Sequence, residues 1–221
     1  MLKCLYRLLV VSSLILLAGC AYASFAANAV TGGGDVPPEY KLAKVPTLVL
    51  VDDYSDASSA DVDVDRLARY IQSDLTEHKV TDLIDLQKVS ALRDQDRDGY
   101  QKLTIAQIGQ AVGARQVIYI NLSDYSVQAP AASDRVRGSA TMRVKVIDVA
   151  TGANIWPTDA ADGRPVNAAT DYVELDPNGG DLSARMKLDE AITTKIGKLF
   201  YSWSPNYEGD DDDKDSLSTP A

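Results

Sequence analysis

The residue types that could do chemistry are few. The 221 residues hold one histidine, His78, and two cysteines, Cys4 and Cys20. A histidine-based triad therefore has a single candidate, and two cysteines cannot build a disulfide framework or a cysteine-based metal site. His78 stands three residues after Leu75 at the end of an apolar stripe. There it complements a helix C-terminus or packs on a sheet. No G-x-S-x-G elbow is present. The run Asp94-Gln95-Asp96-Arg97-Asp98-Gly99 has the D-x-D-x-D-G spacing of half an EF-hand calcium loop. That spacing sets three carboxylates around one hard cation. The twelfth position, which should be Glu, is Ile105, and Arg97 puts a positive charge inside the loop. The segment reads as a solvated acidic turn, with Asp94, Asp96 and Asp98 as the cation-binding alternative. No metal or cofactor is implied elsewhere. Tyr201, Trp203 and Tyr207 are dense near the end of the chain and could form an interface. The alternative is packing of a C-terminal helix.

The thiol of Cys20 is the best-placed reactive group. Lys3 and Arg7 precede an apolar run, Leu8 to Leu17, which is too short to span a bilayer and suits a signal peptide. The run ends in Leu17-Ala18-Gly19-Cys20. That ending resembles the lipobox of bacterial lipoproteins. Small residues fit the peptidase pocket, and the thiol takes the diacylglyceryl group before cleavage in front of it. The alternative is a plain secretory signal cut after Ala23 or Ala29. Either way the mature chain leaves the cytoplasm. Ala21, in place of Asp, implies transport to the outer membrane, facing the periplasm.

Positioning elements follow from composition and periodicity. Hydrophobic residues make up 45% and charged residues 24%, enough for a real core. Loss of Lys3 and Arg7 with residues 1–19 takes the net charge from -10 to -12. With no basic stripe, a nucleic-acid partner is excluded. Residues 20–43, with Gly32-Gly33-Gly34 and Pro37-Pro38, read as a tether. Residues 44–204 read as one α/β domain, and residues 205–221 as an acidic disordered tail.

Within the domain, Leu48 to Val51 is a strand apolar on both faces. Asp61, Asp63 and Asp65 lead into Val64, Leu67, Ala68, Ile71 and Leu75, the spacing of an amphipathic helix with acids at its positive end. Val80 to Leu86 reads as a second strand, and Thr104 to Val112 as a short helix closed by Gly113. Gln116 to Leu122 is the strongest strand. Ala140, Met142, Val144 and Val146 alternate with polar residues, a half-buried strand. Thr151-Gly152 turns it back into Ala153 to Trp156. Leu188, Ile192, Ile196, Leu199 and Trp203 share one face of a helix from Leu182 to Trp203. The expected fold is α/β: a three-to-five-stranded mixed sheet with helices packed on it, in a single domain.

Ala140 to Trp156 (ATMRVKVIDVATGANIW) resembles the strand–turn–strand unit of the curli secretion and polysaccharide-export lipoproteins. The wider layout is similar to the N-terminal domain of the Tol-system periplasmic protein. The resemblance implies a non-catalytic structural or assembly component of an envelope or secretion machine. Its partners would be the membrane, through Cys20, and envelope proteins, with self-assembly among the options. The alternative function is a periplasmic binding module for a glycan or a cation, using the aromatics or the acidic loop.

Overall fold

The structure is a computed structural model that describes residues 34–53, 64–129, 135–174 and 181–205. Two compact units divide the chain: Pro38–Tyr201, and the two ends, Met1–Pro37 with Ser202–Ala221. In the second unit Val36 and Trp203 form an antiparallel bridge, with N–H···O distances of 2.7 and 3.1 Å.

Pro38–Tyr201 is a mixed α/β domain built on a six-stranded sheet. In chain order its elements are β1 (Thr47–Asp53), α1 (Val64–Glu77), α2 (Gln87–Gln95), α3 (Arg97–Tyr100), α4 (Ile105–Val112), β2 (Gln116–Gln128), β3 (Arg135–Asp148), β4 (Asn154–Trp156), β5 (Arg164–Ala169), β6 (Val173–Glu174) and α5 (Leu182–Gly197). The sheet runs β1-β2-β3-β4, with β5 and β6 also pairing with β3. β1 and β2 are parallel, Thr47 opposite Gln116, while β3 is antiparallel to all its neighbours.

Two cores explain the strand patterns. On one face α1 and α5 pack Leu67, Ile71, Leu75, Leu188, Ile192 and Ile196 against Val49, Ile118, Ile120 and Met142. On the other, α2 and α4 set Val89, Ile108 and Val112 against Leu48, Leu50, Val117 and Ile147. β1 is covered on both sides, so every residue from Thr47 to Val51 is buried. β3 is covered on one side for most of its length and alternates accordingly. Tyr40 and Leu42, expected in the tether, join the first core, with Tyr40 stacked on Trp156 at 5.5 Å.

Three local expectations change. Val80 to Leu86 is not a strand. Leu83 makes one bridge to Thr47, and Asp85 then accepts the Gln87 N–H at 2.9 Å and opens α2. The last helix stops at Gly197 rather than Trp203. A side chain at Gly197 would stand 2.2 Å from Asp74 Oδ2, so glycine is needed where α5 meets α1. β2 runs to Gln128, six residues past the apolar stretch, because pairing with β3 continues through a bulge at Leu122/Asp124.

Candidate protein-interaction face

The anticipated site residues do not converge. Asp96 caps α3, accepting the Gly99 N–H at 2.9 Å, and so serves a local turn. Among the described residues no three His, Cys, Asp or Glu side chains are grouped to hold a metal ion. Tyr201 is half-buried; its hydroxyl donates to Asp74 Oδ1 at 3.2 Å and its ring stacks on His78 at 3.6 Å. Burial holds the Asp74 carboxyl above its ordinary value, opposed by His78 and Tyr201. His78 Nδ1 lies 2.9 Å from the Asp74 carbonyl oxygen and 3.6 Å from its carboxylate, so this nitrogen is engaged by Asp74. Trp203 sits in the other unit. Leu17, Ala18, Gly19, Cys20 and Tyr207 lie outside the described residues. Trp156 is core, edge-on to Phe200 at 5.7 Å, and offers no ring to a glycan.

Three features were not foreseen. The first is a lock between α1, α5 and β2. Asp189 is 1% exposed. Its Oδ2 accepts from Arg66 Nε at 3.0 Å and Nη2 at 2.9 Å, and its Oδ1 accepts from the Tyr125 hydroxyl at 3.0 Å. Burial and the neighbouring Asp189 charge push the Tyr125 hydroxyl up, so it stays a donor. The second is a crevice of about 270 Å³ at the carboxyl end of β1. Arg93 pairs there with Asp65 at 2.8 Å and lies over the Tyr100 ring at 5.7 Å. Burial raises the Asp52 carboxyl, against a hydrogen bond from Tyr119 and the charge of Arg93.

The third feature is an uncovered sheet face. Residues 135, 137, 139, 141, 143 and 145 of β3 point away from α1 and α5. Among the described residues, helices reach that side only towards its far end, where Ile147 and Tyr119, the cross-strand neighbour of Lys145, are buried. The rest is bare among the described residues, with Arg143 beside Asn121 and Pro165, and Thr141 beside Asp124 and Asn167. Arg137 Nε donates to the Thr170 carbonyl at 3.0 Å, and its guanidinium lies 5.9 Å from the ring of Tyr172, which is 56% exposed. Such a face can hold carboxylates and bury an aromatic.

Comparison with known proteins gives this face a context. The family model of the peptidoglycan-synthase activator LpoB matches residues 27–161. The chain belongs to that family. The match runs from before β1 to beyond β4 and includes the Ala140–Trp156 stretch that suggested other relatives. The likeness to curli secretion, polysaccharide-export and Tol-system proteins is therefore corrected to LpoB. What misled was turn chemistry. Asp148 Oδ1 accepts the Thr151 N–H at 2.8 Å and its hydroxyl at 2.7 Å, a local motif that marks a tight turn and no particular family.

Solved structures with some likeness include lipoprotein GNA1162 from Neisseria meningitidis, at 15% identity over 68% of this chain and 96% of that one, with a TM-score of 0.44. The LpoB C-terminal domain from Salmonella enterica has 19% identity over 58% and 83%, with a TM-score of 0.39. That from Escherichia coli has 18% over 58% and 85%, with a TM-score of 0.35. At these scores none carries an argument. No curated protein matches the chain. LpoB-family lipoproteins are anchored in the outer membrane and face the periplasm, and this chain is placed there as an envelope component. The family is named for activating a synthase rather than for being one.

Proposed function

We propose that this protein is a lipid-anchored, non-catalytic activator of a peptidoglycan synthase. The family match over residues 27–161 carries the reading, since it covers the first four strands and four helices of the domain. In this reading Leu17-Ala18-Gly19 is recognised, the Cys20 thiol takes the lipid, and the chain is then cut in front of Cys20. Residues 20–37 give the domain a reach of at most about 60 Å from the membrane. The domain then acts by binding, with the membrane and the synthase as its two partners. Activation needs no chemistry from the activator. It needs only tighter binding to the active state of the synthase than to the inactive one.

The test is reconstitution. The purified chain is added to the peptidoglycan synthase of the same organism, and glycan polymerisation is followed in time. A rate that rises with chain concentration and saturates is expected. An unchanged rate, with no binding detected by calorimetry, would refute activation. Fractionation tests the anchor separately. Cys20→Ser should lose the lipid and leave the outer-membrane fraction, and a variant still found in the outer membrane would sink the lipidation.

A further inference from the structure

We infer that the uncovered face of β2, β3 and β5 docks an acidic surface of a partner protein. This deepens the activator reading and rests on it only for the partner's identity. Charge carries the inference. The chain has a net charge of -10, yet Arg135, Arg137, Arg143 and Lys145 share this face of β3, and among the described residues the acids that strand pairing sets directly beside them are Asp124 and Glu174. Glu174 is already 3.6 Å from Arg135. Among the described residues Arg143 and Lys145 have no ion-pair partner. They stand two positions apart on one strand, about 7 Å, where like charges repel and an incoming carboxylate relieves both.

The shape suits a protein. From Arg143 to Arg137 the strand spans about 20 Å. Between them the surface is small and flat, with Ser126 hydrogen-bonded to Ser139 at 3.0 Å and Thr141 beside Asn167. A partner's backbone can approach closely there. At the end stands the Arg137–Tyr172 pair, the two residue types that most often anchor interfaces. A guanidinium also matches a carboxylate in a two-pronged fashion. An anionic bilayer is served less well. Such binding usually draws on a cluster of 4–8 cations or an apolar helix face; this face has only four cations, one of them already beside Glu174, and among the described residues Tyr172 is its one large exposed apolar group. A second copy of this chain is also acidic. Its groove between α1 and α5, rimmed by Asp74, Glu77 and Glu190, is the surface such a copy would offer.

The experiment uses the full lipidated chain in neutral detergent. Against the peptidoglycan synthase, R143E/K145E should bind about 100-fold more weakly than wild type, because each reversal sets like charges face to face. K195E, at an exposed position of α5, should stay within about twofold. Equal binding by the wild type and R143E/K145E overturns the inference. A decaglutamate peptide provides an arm independent of the synthase. Amide shifts along residues 137–145 and at Asn167, lost at high salt, are expected. Shifts elsewhere, or none, overturn the inference. If the peptide shifts this face while wild type fails to bind the synthase, the activator reading falls and the face keeps its assignment. Two other results overturn the choice of a separate protein. One is a preference for phosphatidylglycerol over phosphatidylcholine vesicles that R143E/K145E removes. The other is self-association that the same variant abolishes.

Discussion

Removing the Asp189 carboxylate should unlock the helical layer from the sheet. The carboxylate is buried and holds two partners from different elements: Arg66 of α1 at 2.9–3.0 Å and Tyr125 of β2 at 3.0 Å. In Asp189→Ala both lose their acceptor. Tyr125 is fully buried, and its remaining neighbour is the Arg185 carbonyl at 3.4 Å, a poor substitute. Arg66 keeps 27% of its side chain in solvent, so part of its charge can be rehydrated. Breaking a buried pair costs about 3–5 kcal/mol. The unfolding temperature of a domain this size then falls by about 6–20 °C. Asp189→Asn keeps an oxygen for Arg66 and an amide for the Tyr125 oxygen, so it should cost about 1.5–3 kcal/mol. The assay is urea unfolding followed by far-UV circular dichroism and tryptophan fluorescence. Tyr125→Phe sharpens it. Alone it removes one hydrogen bond, about 1 kcal/mol; in the Asp189→Ala background it removes an orphaned hydroxyl and should restore part of the loss. An Asp189→Ala variant within 1 kcal/mol of wild type, or a cycle with no coupling, would refute the lock.

Other perturbations test the remaining joints. Asp52→Asn should raise the unfolding temperature at pH 7. Burial lifts the Asp52 carboxyl above its ordinary value, so the protonated form favours folding and ionisation costs stability as pH rises. The gain should shrink as pH falls and vanish below about pH 4; a gain independent of pH would contradict the burial argument. Gly197→Ala should destabilise by at least about 1 kcal/mol, despite alanine's better helix propensity, because overpacking costs more. Its new methyl would lie 2.2 Å from Asp74 Oδ2 and 2.6 Å from Tyr201 Cε1, and a denaturant midpoint at or above wild type would count against that close approach. Thr104→Ala removes one half of the reciprocal bonds that start α4, Thr104 Oγ1 with the Gln107 N–H and Gln107 Oε1 with the Thr104 N–H, and should cost about 1 kcal/mol. Faster amide exchange confined to the first turn of α4 would be its signature.

Much of the framework was legible because it is local. The stripe Leu67, Ala68, Ile71, Leu75 is buried as its spacing requires, and the alternation through Met142 to Val146 faces one core. What escaped is what depends on distant pairing. β5, Arg-Pro-Val-Asn-Ala-Ala, buries only Val166 and Ala168, and its proline is tolerable at a pairing position only near an edge. α2 buries Val89 alone among its nine residues, so it has no stripe to read. Asp189 looks like any surface acid in Leu188-Asp189-Glu190, and only the approach of Arg66 and Tyr125 makes it a hub.

The basic face was half visible. Arg143 and Lys145 fall on the polar positions of a half-buried strand, in a chain otherwise rich in acid, and alternation alone marks them as no more than its open side. The missing fact was not their exposure but their company. β2 carries Asn121, Ser126 and Gln128 alongside, and β5 adds Asn167 and Ala169, so three strands make one surface. Had β2 ended at Leu122 as its apolar run suggested, β3 from Arg137 to Thr141 would have lacked its β2 neighbours, and Arg137 would have stood apart from Arg143. The six further residues of β2 bury Tyr125 on one side, where Asp189 holds it, and extend the open surface on the other. The same strand extension thus serves the lock and the face. Loosening the lock should therefore weaken docking through disorder of β2, even though Asp189 lies on the opposite side of the sheet from the partner.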